Sequence, residues 1–141
     1  MSDPLYKRSL LRLAADAYGA GQLAQADHHG EAHNPACGDR VRVDVRLTDG
    51  RITALAHETR ACVLAQASAA ILGRDAIGAG KAEVVALRAQ LLNMLTNGAL
   101  PPSQPFGAYG EFAGATDIPG RHQCVLLPLE ALIAALSEPK S

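Results

Sequence analysis

Between positions 41 and 59 the chain reads VRVDVRLTDGRITALAHET, and few backbones suit such a run. Val41, Val43, Val45 and Leu47 alternate with Arg42, Asp44 and Arg46, the period-two pattern of a strand with one buried and one wet face. Asp49-Gly50 supplies a tight turn, and Ile52 to Thr59 returns with Ile52, Ala54 and Ala56 on one face. The stretch is therefore read as an antiparallel hairpin with one buried face.

The flanking segments change period. Leu10, Leu11, Ala14, Ala15 and Tyr18 recur at helical spacing, predicting a helix over Leu5 to Tyr18 that starts at Asp3-Pro4 and stops at Gly19 to Gly21. A short strand is expected around His28 to Ala32. Cys62 to Gly73 reads as a second helix with small residues Ala65, Ala67, Ser68, Ala69 and Ala70 in its middle and Gly73 as its C-cap. A third helix is expected over Lys81 to Asn97, with Val84, Val85, Leu87, Leu91, Leu92 and Leu95 on its apolar side. The closing helix begins at Cys124 and carries Leu126, Leu129, Leu132, Ile133 and Leu136; Pro128 is tolerable there only within the first turn. Residues 98–120, rich in Pro and Gly, read as one long irregular loop, a length usually reserved for function or motion.

At 141 residues the chain has the length of one domain, 1–141, able to bury roughly two thirds of its unfolded surface. Aromatics are 4% of the residues and Trp is absent, so a core of Leu, Val, Ile and Ala with closely packed helices is expected. Thirteen basic against fourteen acidic residues give a charge of -1, which removes the electrostatic case for nucleic acid or an anionic membrane. Small ions and proteins are the expected partners. Asp3, Lys7, Arg8, Arg12 and Asp16 interrupt any apolar leader or membrane span, so a cytoplasmic protein is expected. Three scattered cysteines do not make a disulfide framework and read as thiols in a reducing compartment.

Those cysteines all fall at element boundaries: Cys37 in the turn entering the hairpin, Cys62 and Cys124 at helix starts, where the positive end of the macrodipole favours thiolate. Arg40, Arg60 and Arg121 stand close to them in sequence; converging, they would lower thiol pKa values, though each alone reads as a solvated side chain. Gly38 separates Cys37 from Asp39, and its backbone freedom lets both side chains turn toward one point. A sulfur and a carboxylate there, with Cys62 and Cys124, would make four ligands for zinc. The bland reading is also open. Asn-Pro and Gly-Asp are ordinary turn residues, a lone cysteine is commonly a small buried hydrophobe, and no close C-x-x-C pair marks the chain. His28, His29 and His57 read as surface or structural residues, while His33 and His122 lie near the cysteines in sequence. A cysteine hydrolase with His33 or His57 as base lacks any local signature.

Taken in order, three segments resemble the NifU/IscU-type iron-sulfur cluster scaffold family, most closely its SufU branch. NPACGDRVRV is similar to the family's N-P-x-C-G-D and strand, ACVLAQASAAILG to its helix with the middle cysteine, and GRHQCVLLPLEAL to its closing helix. LYKRSLLRLAADAYGAGQL also resembles the family's first helix. The resemblance implies an α+β fold of the SufE/NifU-like kind, a small antiparallel sheet of about three strands with helices mainly on one face. It carries over Cys37, Asp39, Cys62 and Cys124 as ligands, Cys124 and Cys37 as sulfur acceptors, and Arg121 as a contact for a cysteine desulfurase. The implied cargo is a labile iron-sulfur cluster, 2Fe-2S, with zinc as the resting-state alternative. The implied partners are the desulfurase and apo iron-sulfur proteins, and a homodimer is compatible. Gln123 stands where the IscU branch has a histidine, and DIPGRHQ where it has L-P-P-V-K; both departures favour the SufU branch, a zinc-bound sulfur-transfer partner. Ala61 replaces the family glycine before the middle cysteine, and Ala65 and Ala70 replace two helix serines.

Overall fold

A computed structural model describes residues 8–35, 38–117 and 122–137. In chain order they form α1 (Arg8–Asp16), β1 (His28–Asn34), β2 (Asp39–Thr48), β3 (Arg51–Arg60), α2 (Val63–Asp75), α3 (Lys81–Asn97), a run of 3-10 turns (Gly107–Asp117) and α4 (His122–Leu136). The strands make one antiparallel sheet in the order β1-β2-β3. This is the expected α+β architecture. The expected start of the first helix at Asp3-Pro4 lies outside the described residues.

Val41, Val43 and Val45 are buried on the sheet face that receives the helices, and α4 lies across β1 and β2 on that face. α2 packs between α4, β3 and α1, and α3 backs onto α4. α4 comes this close because β1 has Gly30 beneath it. A Cβ at that position would collide with the backbone of Ala131, Ala134 and Ala135.

The hairpin departs from the expected face pattern on its return strand. Leu47 pairs with Ile52 and Arg46 with Ala54, so the register shifts by one residue and Thr53 has no partner across the ladder. A bulge reverses the alternation beyond it. Leu55, His57 and Thr59 consequently oppose Val45, Val43 and Val41 on the helix face, while Ala54 and Ala56 turn to the other side. There the segment joining α1 to β1 crosses the sheet. The amide of Leu23 donates to Asp44 Oδ2 at 3.3 Å and the amide of Leu47 to Asp27 Oδ2 at 2.7 Å, which is how Asp44 comes to be buried.

His57 is buried among the helix-face residues. One ring nitrogen donates to the Tyr18 carbonyl and the other accepts from the Thr59 hydroxyl, both at 2.9 Å, an arrangement that suits the neutral ring. Burial holds its pKa below the ordinary 6.5, partly opposed by the Tyr18 carbonyl. The unfolded chain therefore takes up this proton first as pH falls. His57 stability is fully present above 6.5 and is lost as pH descends from there toward the folded-state pKa. Urea midpoints should fall between pH 7.5 and pH 5.5, and His57→Gln should remove this residue's share of that decline.

Three further expectations need correction. Gly73 does not cap α2; the helix continues to Asp75, and Gly73 is where the Tyr18 backbone crosses it too closely for any Cβ. On α3, Met94 is buried while Val85 is 44% exposed, because the buried stripe runs Val84, Leu87, Leu91, Met94 and Leu95. Pro128 lies in the second turn of α4, beyond the first turn where it was expected. Nor is 98–120 a bare loop: Phe106, Tyr109 and Phe112 are buried and belong to the hydrophobic core. Residues 118–120 lie outside the description. No described helix is long and apolar enough to cross a membrane.

Candidate metal centre

Asp39 begins β2 and shares the helix-face parity of Val41 and Val43. It follows a turn closed by a 2.8 Å hydrogen bond from the Gly38 amide to the Asn34 carbonyl, with Gly38 at φ 76°. That left-handed conformation is the one expected of the glycine between Cys37 and Asp39. Cys37 itself lies outside the described residues, as does Arg121.

Cys62 is the N-cap residue of α2, with extended backbone. Its carbonyl accepts the Gln66 amide at 3.0 Å, and the Gln66 side chain reaches back to the Ala61 carbonyl at 3.0 Å. The turn from β3 into α2 is thus braced on both sides of Cys62. Cys124 sits in the first turn of α4, 4% exposed.

The fold brings these three together: an Asp39 oxygen and the Cys62 and Cys124 sulfurs all lie within 4.8 Å of one another. Cys124 Sγ is 3.9 Å from Asp39 Oδ2. Tetrahedral zinc, with bonds of roughly 2.0–2.3 Å, requires ligand atoms roughly 3.5–3.8 Å apart, so the set fits after a contraction of about 1.3 Å or less. Two sulfurs and one carboxylate, one strand end and two helix starts, also match the donor chemistry of zinc or iron. The helix N-termini supply positive potential to thiolates.

Arg40 and Arg60 do not join them. Arg40 and Arg60 are direct cross-strand partners, exposed on the sheet face away from the helices. With Glu31, Arg42 and Glu58 they line a recess of about 300 Å³ there. Alternation explains this, since Arg40 follows Asp39 and must point the other way. His33 is exposed on β1, opposite Arg40, and His57 is committed to Tyr18 and Thr59. Among the described residues, neither joins Asp39, Cys62 and Cys124. Gln123 is turned aside as well, donating to Glu130, which also accepts from Arg88 at 3.1 Å.

The sequence profile of the NifU-like N-terminal domain matches residues 5–104, a span that contains Cys37, Asp39 and Cys62. The chain is 27% identical over 117 residues to the iron-sulfur cluster assembly scaffold protein IscU of Streptococcus pyogenes serotype M1, covering 77% of this chain and 74% of that one. The N-terminal part of a nitrogen-fixing NifU-like protein from Brucella abortus superposes with a TM-score of 0.90 at 33% identity, over 95% of this chain and 93% of that one. A candidate SUF-system scaffold from the thermophile Fervidobacterium islandicum AW-1 gives 0.86 at 25% identity, over 97% and 100%. These structural matches extend past residue 104 and so take in α4 and Cys124.

Proposed function

This chain belongs to the NifU-like N-terminal domain family, which includes iron-sulfur cluster assembly scaffolds, and we propose that it assembles a labile 2Fe-2S cluster on Cys37, Asp39, Cys62 and Cys124 and passes it on. The observation that carries this reading is the Asp39 carboxylate standing among thiols at the meeting of one strand and two helices. Clusters kept for electron transfer are commonly held by four cysteines. A hard oxygen at one corner matches soft iron-sulfur chemistry poorly and is displaced more readily. Such a ligand set suits delivery over retention.

In this reading Cys37 and Cys124 accept sulfur from a cysteine desulfurase, with Arg121 contacting that partner, and an apo iron-sulfur protein receives the cluster. Each sulfur arrives as the outer atom of a persulfide. The acceptor thiolate attacks that atom, the S–S bond breaks, and the desulfurase cysteine leaves as thiolate. Two electrons from an added thiol reductant then convert each transferred sulfur to bridging sulfide. The test is anaerobic reconstitution with ferrous iron, L-cysteine, a desulfurase and excess dithiothreitol. Visible sulfide-to-iron absorption at one cluster per chain or per pair of chains is expected; colourless protein would overturn the scaffold reading.

The second reading is a zinc-bound sulfur-transfer partner. It is favoured by the fit of Asp39, Cys62 and Cys124 to a tetrahedral ion and by the withdrawal of Gln123 to Glu130. Bound zinc would supply a thiolate already deprotonated at neutral pH. Desulfurase turnover raised by the zinc-loaded protein without iron, and lost on chelation, is the result that would select it.

A further inference from the structure

Ser68 is the hydroxyl-bearing residue in an otherwise alanine-lined stretch of α2, and it is 0% exposed. Its Oγ donates to the Val125 carbonyl on α4 at 2.7 Å. Tyr109, also 0% exposed, donates its hydroxyl to the Ser68 carbonyl at 2.9 Å and lies 3.1 Å from Ser68 Oγ. Three elements are thereby tied at one buried point: the helix that starts at Cys62, the first turns of the helix that carries Cys124, and the segment of 3-10 turns between α3 and α4.

The place of this tie is what gives it meaning. Val125 is the neighbour of Cys124, and Pro128, in the second turn of α4, has no backbone N–H to add to the helix ladder. The Ser68 hydroxyl supplies a bond from a different helix, one residue after Cys124. Among the described residues it is the side-chain hydrogen bond between α2 and α4. Packing between the two helices is otherwise apolar and small, with Leu64, Ala67, Ile71, Val125 and Leu129 buried. Apolar contacts of that kind hold helices together without setting their axial register, whereas a hydrogen bond is directional.

We propose that Ser68 is a positioning residue for the metal centre: its bond to the Val125 carbonyl sets the separation of the Cys62 and Cys124 sulfurs. This rests on the reading of Asp39, Cys62 and Cys124 as metal ligands. Tyr109 shares the buried cluster but its hydroxyl bonds to Ser68 and not to α4, so its contribution is to stability and not to the register of α4.

The two roles separate in a cobalt(II) titration of the full chain under anaerobic conditions, read at the thiolate-to-cobalt absorption, alongside urea unfolding of the metal-free protein. Ser68→Ala suits a buried helical position and should fold. It should bind cobalt about 10–100-fold more weakly than wild type, the loss seen when a group that orients metal ligands is removed. Tyr109→Phe leaves the Ser68 to Val125 bond intact and should lose stability while keeping its cobalt affinity within about threefold. Ser68→Thr retains the hydroxyl at the cost of one buried methyl; it too should be less stable yet bind cobalt like wild type. Affinity that follows stability across the three variants, or that Ser68→Ala leaves unchanged, would overturn the positioning role while leaving the metal site standing. Wild-type protein that binds no cobalt would overturn the metal site and the positioning role together.

Discussion

Cys62→Ser is expected to yield a folded protein that assembles no cluster, while Asp39→Ala is expected to assemble one and release it more slowly. The contrast follows from the chemistry of the two ligands. Cys62 is half-buried at the start of α2, and its sulfur is a soft donor that suits a soft metal. A serine hydroxyl is of similar size, so the fold survives, but it stays protonated near neutral pH and is a hard donor. Loss of a direct ligand should exceed the roughly 10–100-fold effect of losing a group that only orients one. Asp39 sits at the opposite end of the scale, the hard corner of the set. Removing it takes away the ligand most easily displaced by an incoming acceptor thiol. Reconstitution followed by transfer to an apo-ferredoxin, monitored by circular dichroism in the visible, measures both effects. A Cys62→Ser protein that reconstitutes like wild type, or an Asp39→Ala protein that transfers faster, would contradict the assigned roles.

Gly30→Ala should be among the most damaging single-methyl changes in this chain. Gly30 lies on β1 opposite Val43, directly beneath α4, and a Cβ there would meet backbone atoms of Ala131, Ala134 and Ala135. Backbone cannot step aside as the tip of a flexible side chain can, so α4 must lift from the sheet. Overpacking typically costs about 1–3 kcal/mol, and a clash with helix backbone belongs at or above the upper end. For a chain of this size that corresponds to a fall in Tm of roughly 10 °C. The helix that lifts is the one that carries Cys124, so metal affinity should decline together with stability. Thermal unfolding followed by circular dichroism, paired with the cobalt titration, tests both. A Tm within about 2 °C of wild type would show that α4 has more room than its packing implies.

Much of the architecture can be read without coordinates. The alternation from Val41 to Leu47, the Asp49-Gly50 turn and the limits of α3 all follow from local chemistry, and each stands in the structure. The errors have a common origin. The bulge at Thr53 reverses the faces of β3, and no residue in ITALAHET announces it, because bulges answer to the partner strand. Gly73 looked like a helix stop and is instead a crossing point for another segment, since the same absent side chain serves both uses. The aromatics at 106, 109 and 112 were hidden among prolines and glycines that signal irregularity, yet irregular backbone can be well buried when its side chains point inward.

The site divides in the same way. A glycine between a cysteine and an aspartate, and thiols at two helix starts, make Asp39, Cys62 and Cys124 candidates in the sequence, but spacing leaves the ordinary turn-and-core reading open, and the resemblance to the scaffold family is what joins them as one ligand set. Their convergence is a different matter. Residues 39, 62 and 124 are far apart along the chain, and only the packing of α2 and α4 on one face of the sheet brings their donor atoms within 4.8 Å. Strand alternation sends Arg40 and Arg60 to the opposite face, where they are exposed, as each read singly in the sequence. Local propensities act over a few residues and determine which side chains stand at element ends. Helix placement depends on contacts between distant segments, such as the close approach of α4 over Gly30 and the bond from Ser68 to Val125, and those exist only once the chain has folded.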